Sequence, residues 1–258
     1  MLELNRVYNE DCLETMNKMD SNSIDLIITS PPYNSSRLNT SDPYSTRYDK
    51  YQDKMSNEEY IEWTKNIFNG YDKILKKDGC ILYNMSYSGQ NVDLMWLVVA
   101  EIIKNTNFIT ADCIIWKKSN AIPNNVSKNK LTRIIEYIFV FCRKDELLTF
   151  NTNKKVINKI ERTGQNIYEN IYNFVEAKNN DDSNKLNKAT FSTDLVSKLL
   201  EIYALPNSVI YDSFMGIGTT AKACIENGFD WIGSELSTEQ IEYFENNFKT
   251  KNENKIFY

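Results

Sequence analysis

Asp212-Ser213-Phe214-Met215-Gly216-Ile217-Gly218-Thr219-Thr220 decides the fold class through what stands on either side of it. Upstream, Pro206-Asn207-Ser208 turns the chain into Val209-Ile210-Tyr211, a short apolar run of strand type. Downstream, Ala221 to Glu226 is compatible with a helix that Gly228 closes at its C′ position. Phe229 to Gly233 reads as the next strand, with Glu235 at its carboxyl end. Strand, glycine turn, helix, strand and acid form the repeating unit of a parallel sheet covered by helices. Glycines at such a turn let backbone amides approach a ligand, and the helix N-terminus favours polar or anionic groups. An acid after the second strand can accept hydrogen bonds from ribose hydroxyls. Asp212, Phe214, Gly216, Gly218, Thr219, Thr220 and Glu235 are therefore a candidate nucleoside site. The competing reading is a tight turn with an exposed glutamate.

The same alternation extends outward. Asp25 to Ile28 reads as a short buried strand. Ser56-Asn57-Glu58-Glu59 has capping-box spacing and opens a helix with Tyr60, Ile61, Ile67, Phe68, Tyr71 and Leu75 on its apolar face. Asp78-Gly79 is expected to end it, before a strand at Cys80 to Tyr83. Ile109 to Trp116 and Tyr137 to Cys142 are further strands, and a helix from Thr193 aligns Leu195, Val196, Leu199, Leu200 and Tyr203. Asn34 to Lys54 interleaves Tyr44, Tyr48 and Tyr51 with Arg37 and Arg47, and Asn151 to Lys188 is rich in Asn, Lys and Asp; both read as irregular. A length of 258 residues fits one α/β domain with insertions.

Composition removes several chemistries. The chain has no histidine, which excludes Ser-His-Asp and Cys-His catalysis and His-containing zinc sites. Cys12, Cys80, Cys113, Cys142 and Cys224 stand apart, with no C-x-x-C pair, so no metal is expected and the thiols read as reduced. Met1 leads into Leu4-Asn5-Arg6-Val7-Tyr8 without an apolar leader, and the run Met95 to Ala100 is too short to span a bilayer. An intracellular protein without a membrane partner is the expectation. Net charge is −5, which argues against general coating of nucleic acid but not against a local basic face.

A second candidate site is Thr29-Ser30-Pro31-Pro32-Tyr33, directly after the first strand candidate. Two prolines remove two backbone donors and hold the chain extended, leaving rigid carbonyl acceptors. A hydroxyl before them and an aromatic ring after them suit an amino group on an aromatic base. Such an amine is a poor nucleophile because its lone pair is delocalised into the ring. Hydrogen bonds from its protons to Ser30 Oγ and the Pro31 carbonyl would pull the nitrogen toward tetrahedral geometry. Tyr33 could stack on the base once flipped from the duplex. Alone, the segment would read as a proline-terminated strand with a packed tyrosine.

Together, Thr29 to Tyr33 and Asp212 to Thr220 resemble the β class of amino-methyltransferases acting on DNA, in which the S/D-P-P-Y/F motif precedes the cofactor motif. Asn9 to Glu14 resembles the family's opening segment, which implies Asp11 and Cys12 beside the cofactor adenine. Thr132-Arg133 with Glu136 to Phe139 is similar to a family strand region near the target base. Asn187 to Ser192 occupies the place of a His-Pro-containing segment that contacts the cofactor. Phe191 falls in that segment, although Asn187-Lys188 stands where the family has His-Pro. The resemblance implies S-adenosyl-L-methionine as cofactor and a Rossmann-like fold: a mixed, mostly parallel seven-stranded sheet with a β-hairpin and helices on both faces. It also implies a single domain with a catalytic core at 1–116 and 186–258, a target-recognition insertion at about 117–185 and a loop at 34–55. Double-stranded DNA is the implied partner; a homodimer and a cognate restriction endonuclease are compatible with it. Ser-Pro-Pro-Tyr is associated more often with cytosine N4, Asp-Pro-Pro-Tyr with adenine N6.

Other classes fit less well. A cytosine C5 enzyme needs a nucleophilic cysteine, usually after proline, and no proline here precedes one. A nicotinamide dehydrogenase would share the glycine turn but has no use for Ser-Pro-Pro-Tyr. A catalytically silent DNA-binding subunit on the same fold remains the alternative from another class. Between the two motifs, Lys117, Lys118, Lys128, Lys130 and Arg133 lie in a stretch without acids, a candidate phosphate-binding face.

Overall fold

The computed structural model describes residues 2–34, 55–87, 91–125, 127–181 and 190–249. The loop with Tyr44, Tyr48 and Tyr51, and the segment 182–189, lie outside the described residues. One eight-stranded sheet runs in the order β1 (Arg6–Tyr8), β10 (Asp230–Ser234), β9 (Val209–Asp212), β2 (Ile24–Thr29), β3 (Leu75–Met85), β5 (Ile135–Arg143), β4 (Phe108–Lys118), β8 (Phe174–Ala177). All neighbours are parallel except β3–β5 and β4–β5, so the hairpin β4–β5 carries the antiparallel part. The eighth strand is β8, whose Val175 and Ala177 are buried while Phe174 and Glu176 face outward.

Helices cover both faces. On one side α1 (Cys12–Lys18), α2 (Asn57–Ile74) and α3 (Leu94–Asn105) pack with Ile27, Ile81 and Phe141. On the other, α4 (Thr193–Tyr203), α5 (Thr219–Asn227) and α6 (Thr238–Phe244) pack with Leu26, Ile28 and Ile210. The apolar face expected of α4 is buried at all five positions. The capping box of α2 closes in both directions, Ser56 N–H donating to Glu59 Oε2 at 2.8 Å and Glu59 N–H to Ser56 Oγ at 3.2 Å.

The helix ends differently from expectation. It stops at Ile74, and Leu75 already pairs with Ile24 of β2, so Asp78-Gly79 lies inside β3. A Cβ on Gly79 would come within 2.9 Å of the Asp25 carbonyl oxygen. The glycine thus permits a close strand approach rather than stopping a helix. The stretch 151–181 is less irregular than its composition suggests, since it carries β8 and the hairpin β6 (Val156–Lys159) with β7 (Asn166–Tyr168).

One topological fact positions the site. From β2 the chain crosses through α2 to β3; from β9 it crosses through α5, on the opposite face, to β10. Neighbouring parallel strands β2 and β9 therefore send their connections apart, opening a crevice beyond their carboxyl ends. Ser30 follows one strand and Ser213 the other. No helix among the described residues is long and apolar enough to cross a membrane.

Candidate active site

A cavity of about 240 Å³ occupies that crevice. The glycine turn forms one wall. Gly216, at φ 55°, donates its N–H to Glu235 Oε2 at 2.8 Å, and Ser237 N–H donates to Oε1 at the same distance. The Glu235 carboxylate is thus fixed at the cavity edge by two backbone donors. Gly218, at φ 84°, begins α5 but does not line the cavity. A Cβ there would lie 2.1 Å from the Phe244 ring.

Asp212 does more than line the cavity. Its buried carboxylate accepts from Thr29 Oγ1 at 2.7 Å, Thr220 Oγ1 at 2.6 Å and Phe214 N–H at 3.1 Å. Burial pushes the carboxyl above its ordinary range, while Thr220, Thr29 and the Phe214 amide pull the other way. Asp212 therefore ties the end of β2, one residue before Ser30, to the glycine turn. Thr220 serves that tie and does not line the cavity, whereas Phe214 and Thr219 do.

Further lining comes from the start of the chain, which hydrogen-bonds to Glu235 and Leu236 through Asn9, and from α2. Asp11 caps α1 by accepting from Leu13 N–H at 2.8 Å, and both Asp11 and Cys12 face the cavity. Burial and neighbouring Asp11 push the Cys12 thiol well up, leaving it neutral and unsuited to covalent chemistry. Phe191 lines the cavity as well. Sequence reasoning missed Glu10, Trp63 and Leu236. Trp63 follows Tyr60 by three and precedes Ile67 by four, a spacing that could have placed it on the buried face; its ring lies 5.5 Å from that of Phe214.

The lining chemistry selects a ligand class. Glu10, Asp11, Asp212 and Glu235 border the cavity, together with Trp63, Phe191, Phe214 and Leu236, and neither Lys nor Arg borders it among the described residues. Acid with aromatic walls suits a cationic nucleoside such as a sulfonium and fits a dinucleotide pyrophosphate poorly. Glu235→Ala should weaken S-adenosylhomocysteine binding by about 1–3 kcal/mol, through lost charged hydrogen bonds and a released Gly216 amide. Isothermal titration checks this; unchanged affinity in a folded variant would remove Glu235 from the site.

At the other end, Ser30 and Pro32 reach the cavity. The Pro32 carbonyl is already occupied, since Tyr60 O–H donates to it at 2.7 Å. That of Pro31 receives no hydrogen bond among the described residues. Tyr33 turns its hydroxyl back onto the corner: Oη lies 3.0 Å from Ser30 Oγ and donates to Glu136 Oε2 at 3.1 Å. Asn84, buried at 5 % exposure on β3, donates to Tyr33 Oη at 2.7 Å and to Glu136 Oε2 at 3.0 Å. Its Nδ2 also lies 3.4 Å from Ser30 Oγ, while its Oδ1 is buried and accepts no hydrogen bond among the described residues.

The basic stretch needs correction in part. Lys118 is largely buried and pairs with Glu136 Oε1 at 2.5 Å, so it belongs to this corner and not to a phosphate-binding face. Lys117 pairs with Glu176 at 3.0 Å. Lys128, Lys130 and Arg133 are exposed, Arg133 lying 5.3 Å over the Tyr87 ring.

The sequence profile of the N6/N4 DNA methylases matches residues 24–246, which span both motifs. The chain belongs to this DNA methylase family. Among curated relatives of this methylase, the Type II methyltransferase M.BglII from Bacillus subtilis is 23% identical over 93% of this chain and 67% of its own. M.HinfI from Haemophilus influenzae is 26% identical over 94% and 67%. In structure, the methylase is similar to the PvuII DNA methyltransferase (cytosine-N4-specific), with a TM-score of 0.69 at 18% identity over 92% of this chain and 84% of that one. It is similar also to M1.HpyAVI in complex with SAM, at 0.62 and 21% over 93% and 97%. The family is S-adenosylmethionine-dependent, and the Rossmann-like fold expected from the sequence is the fold shared with these neighbours.

Proposed function

We propose that the chain transfers a methyl group from S-adenosylmethionine to the exocyclic amino nitrogen of a flipped-out base in double-stranded DNA, with cytosine N4 as the acceptor. The observation that carries this reading is that Ser30 and Glu235 open onto one cavity, with Thr29 and Asp212 locking the two motifs together. The cofactor supplies an electrophilic methyl on a sulfonium sulfur. Glu235 holds ribose hydroxyls, and Asp11 and Phe191 border the same ligand. Ser30 Oγ and the Pro31 carbonyl accept hydrogen bonds from the two amino N–H groups, freeing the nitrogen lone pair for in-line attack. Catalysis then comes from positioning and preorganised acceptors, with no covalent enzyme intermediate. Serine, a short neutral acceptor, suits cytosine, whose ring N3 lies beside the amine.

Mass spectrometry of nucleosides from methylated DNA tests the base. N4-methylcytosine is expected; N6-methyladenine as sole product would refute the base while leaving amino-methyl transfer standing. Cofactor binding without any transfer would favour the silent-subunit reading, which the intact Ser30 corner opposes.

DNA would be gripped from the segment 117–185, the proposed recognition region, through Lys128, Lys130 and Arg133. Replacing these three with alanine should weaken DNA binding and reduce the log-log salt slope by about one unit per lost phosphate contact. A slope parallel to that of the parent protein would show that they touch no phosphates. A restriction endonuclease of the same DNA sequence is a further proposed partner, a reading that the Type II designation of the relatives supports.

A further inference from the structure

Resting on the amino-methyl transfer proposed above, we propose that Glu136 is the proton acceptor of the reaction, reached from the base through the hydroxyls of Ser30 and Tyr33. The directions of the hydrogen bonds define the route. Tyr33 has one hydroxyl proton and gives it to Glu136 Oε2 at 3.1 Å. Its oxygen also accepts from Asn84 at 2.7 Å. The contact of 3.0 Å between Ser30 Oγ and Tyr33 Oη then runs from Ser30 to Tyr33. Ser30, having turned its proton inward, presents a lone pair to the cavity it lines, as an amino donor requires. A serine with a free hydroxyl rotor could equally present its proton, which would repel the amine. The carboxylate thus sets the polarity of the corner from two hydroxyls away.

Glu136 is held on both of its oxygens. It is buried at 9 % exposure on β5, with Lys118 of β4 on Oε1 and Tyr33 and Asn84 on Oε2. Lys118 is the charged group facing it among the described residues, and Tyr33 is the other titratable one. An ionised carboxylate with a paired distal oxygen can accept a proton on the proximal one, becoming a neutral acid.

The proton count closes. The amino nitrogen forms its bond to the methyl carbon with its lone pair, and the sulfur–carbon bond electrons return to sulfur. Nitrogen then holds the methyl, two hydrogens and a positive charge. One N–H bond breaks, its electron pair staying on nitrogen, and the proton goes to Ser30 Oγ. Ser30 passes its own proton to Tyr33 Oη, and Tyr33 passes its own to Glu136 Oε2. Both hydroxyls end neutral, the carboxylate ends protonated and later releases the proton to water. Tyr33 therefore acts through its oxygen, and a phenylalanine there would keep the ring and break the relay.

The test compares the parent protein with Glu136→Gln, Tyr33→Phe and the double variant, measuring kcat for methyl transfer to DNA, KM for DNA, and S-adenosylhomocysteine affinity by calorimetry. Each single variant is expected to lower kcat by roughly 10²-fold, with KM and cofactor-product affinity within about twofold. The double variant should be no slower than the slower single, because one route is cut twice. Multiplicative losses, or a Tyr33→Phe protein with parental kcat, would each overturn the relay. Should Glu136→Gln fail to fold, Tyr33→Phe decides alone, since it keeps the Glu136 pairs with Lys118 and Asn84. Parent protein that transfers methyl while the variants behave as parent refutes the relay only. Parent protein that transfers none refutes the proposed function and the relay with it.

Discussion

Ser30→Ala is expected to cut turnover by roughly 10²–10³-fold, the usual cost of deleting one preorganised hydrogen-bonding group at a reacting centre. The side chain lost is small and half-buried, so little stability goes with it. The Thr29–Asp212 bond that joins the two motifs uses the neighbouring residue and not Ser30. S-adenosylhomocysteine should therefore bind Ser30→Ala about as well as the parent protein. Single-turnover kinetics together with calorimetry separate the two effects. A loss of cofactor binding proportional to the loss of activity would mean that Ser30 belongs to the cofactor and not to the base.

Gly218→Val should be the most damaging change on the cofactor side, although Gly218 touches no part of the cavity. At φ 84° a β-branched residue is strained by about 1–3 kcal/mol. Its Cβ would also sit 2.1 Å from the Phe244 ring, inside a core where α6 has nowhere to retreat. Either α5 or α6 must move, and the Gly216–Glu235 bond moves with the turn. A large fall in Tm and no detectable S-adenosylhomocysteine binding are expected. Gly228→Ala is the control. It has a similar φ of 75° but nothing within 4 Å of its Cβ, so only backbone strain of about 1 kcal/mol should appear. Equal effects at the two glycines would show that strain, and not the close approach to Phe244, decides the first.

How legible these features are in the sequence depends on whether a residue meets its neighbours in the chain or across it. The glycine turn, the capping box at Ser56 and the apolar face of α4 are local patterns, and they appear where expected. The hairpin β6–β7 is exposed throughout its length, so it carries no buried face and no alternation to read. Edge strand β8 does alternate over Phe174 to Ala177, but four residues amid Asn- and Lys-rich neighbours give a weak signal. The end of α2 was misplaced because Gly79 has two uses, and only the approach of Asp25 tells which applies.

At the site the same division holds. Ser30, Phe214 and Glu235 were legible because each sits at a fixed place relative to a strand end. Glu136 and Lys118 were readable as a strand residue and a basic-run residue. Their pairing beneath Tyr33 depends on the β4–β5 hairpin bringing residues 18 apart together, which spacing alone does not state. Asp212 was placed at the cofactor, yet its three hydrogen bonds show it joining the two motifs. That tie brings Ser30 and the glycine turn to one cavity.

Transfer of a tritiated methyl group from S-adenosylmethionine to DNA and RNA of mixed sequence, followed by nucleoside analysis, tests the central claim most directly. The account predicts label in DNA alone, on an exocyclic amino group, and lost in Ser30→Ala protein that still binds S-adenosylhomocysteine. Label on a ring carbon, label in RNA only, or no label from protein that binds the cofactor would contradict it.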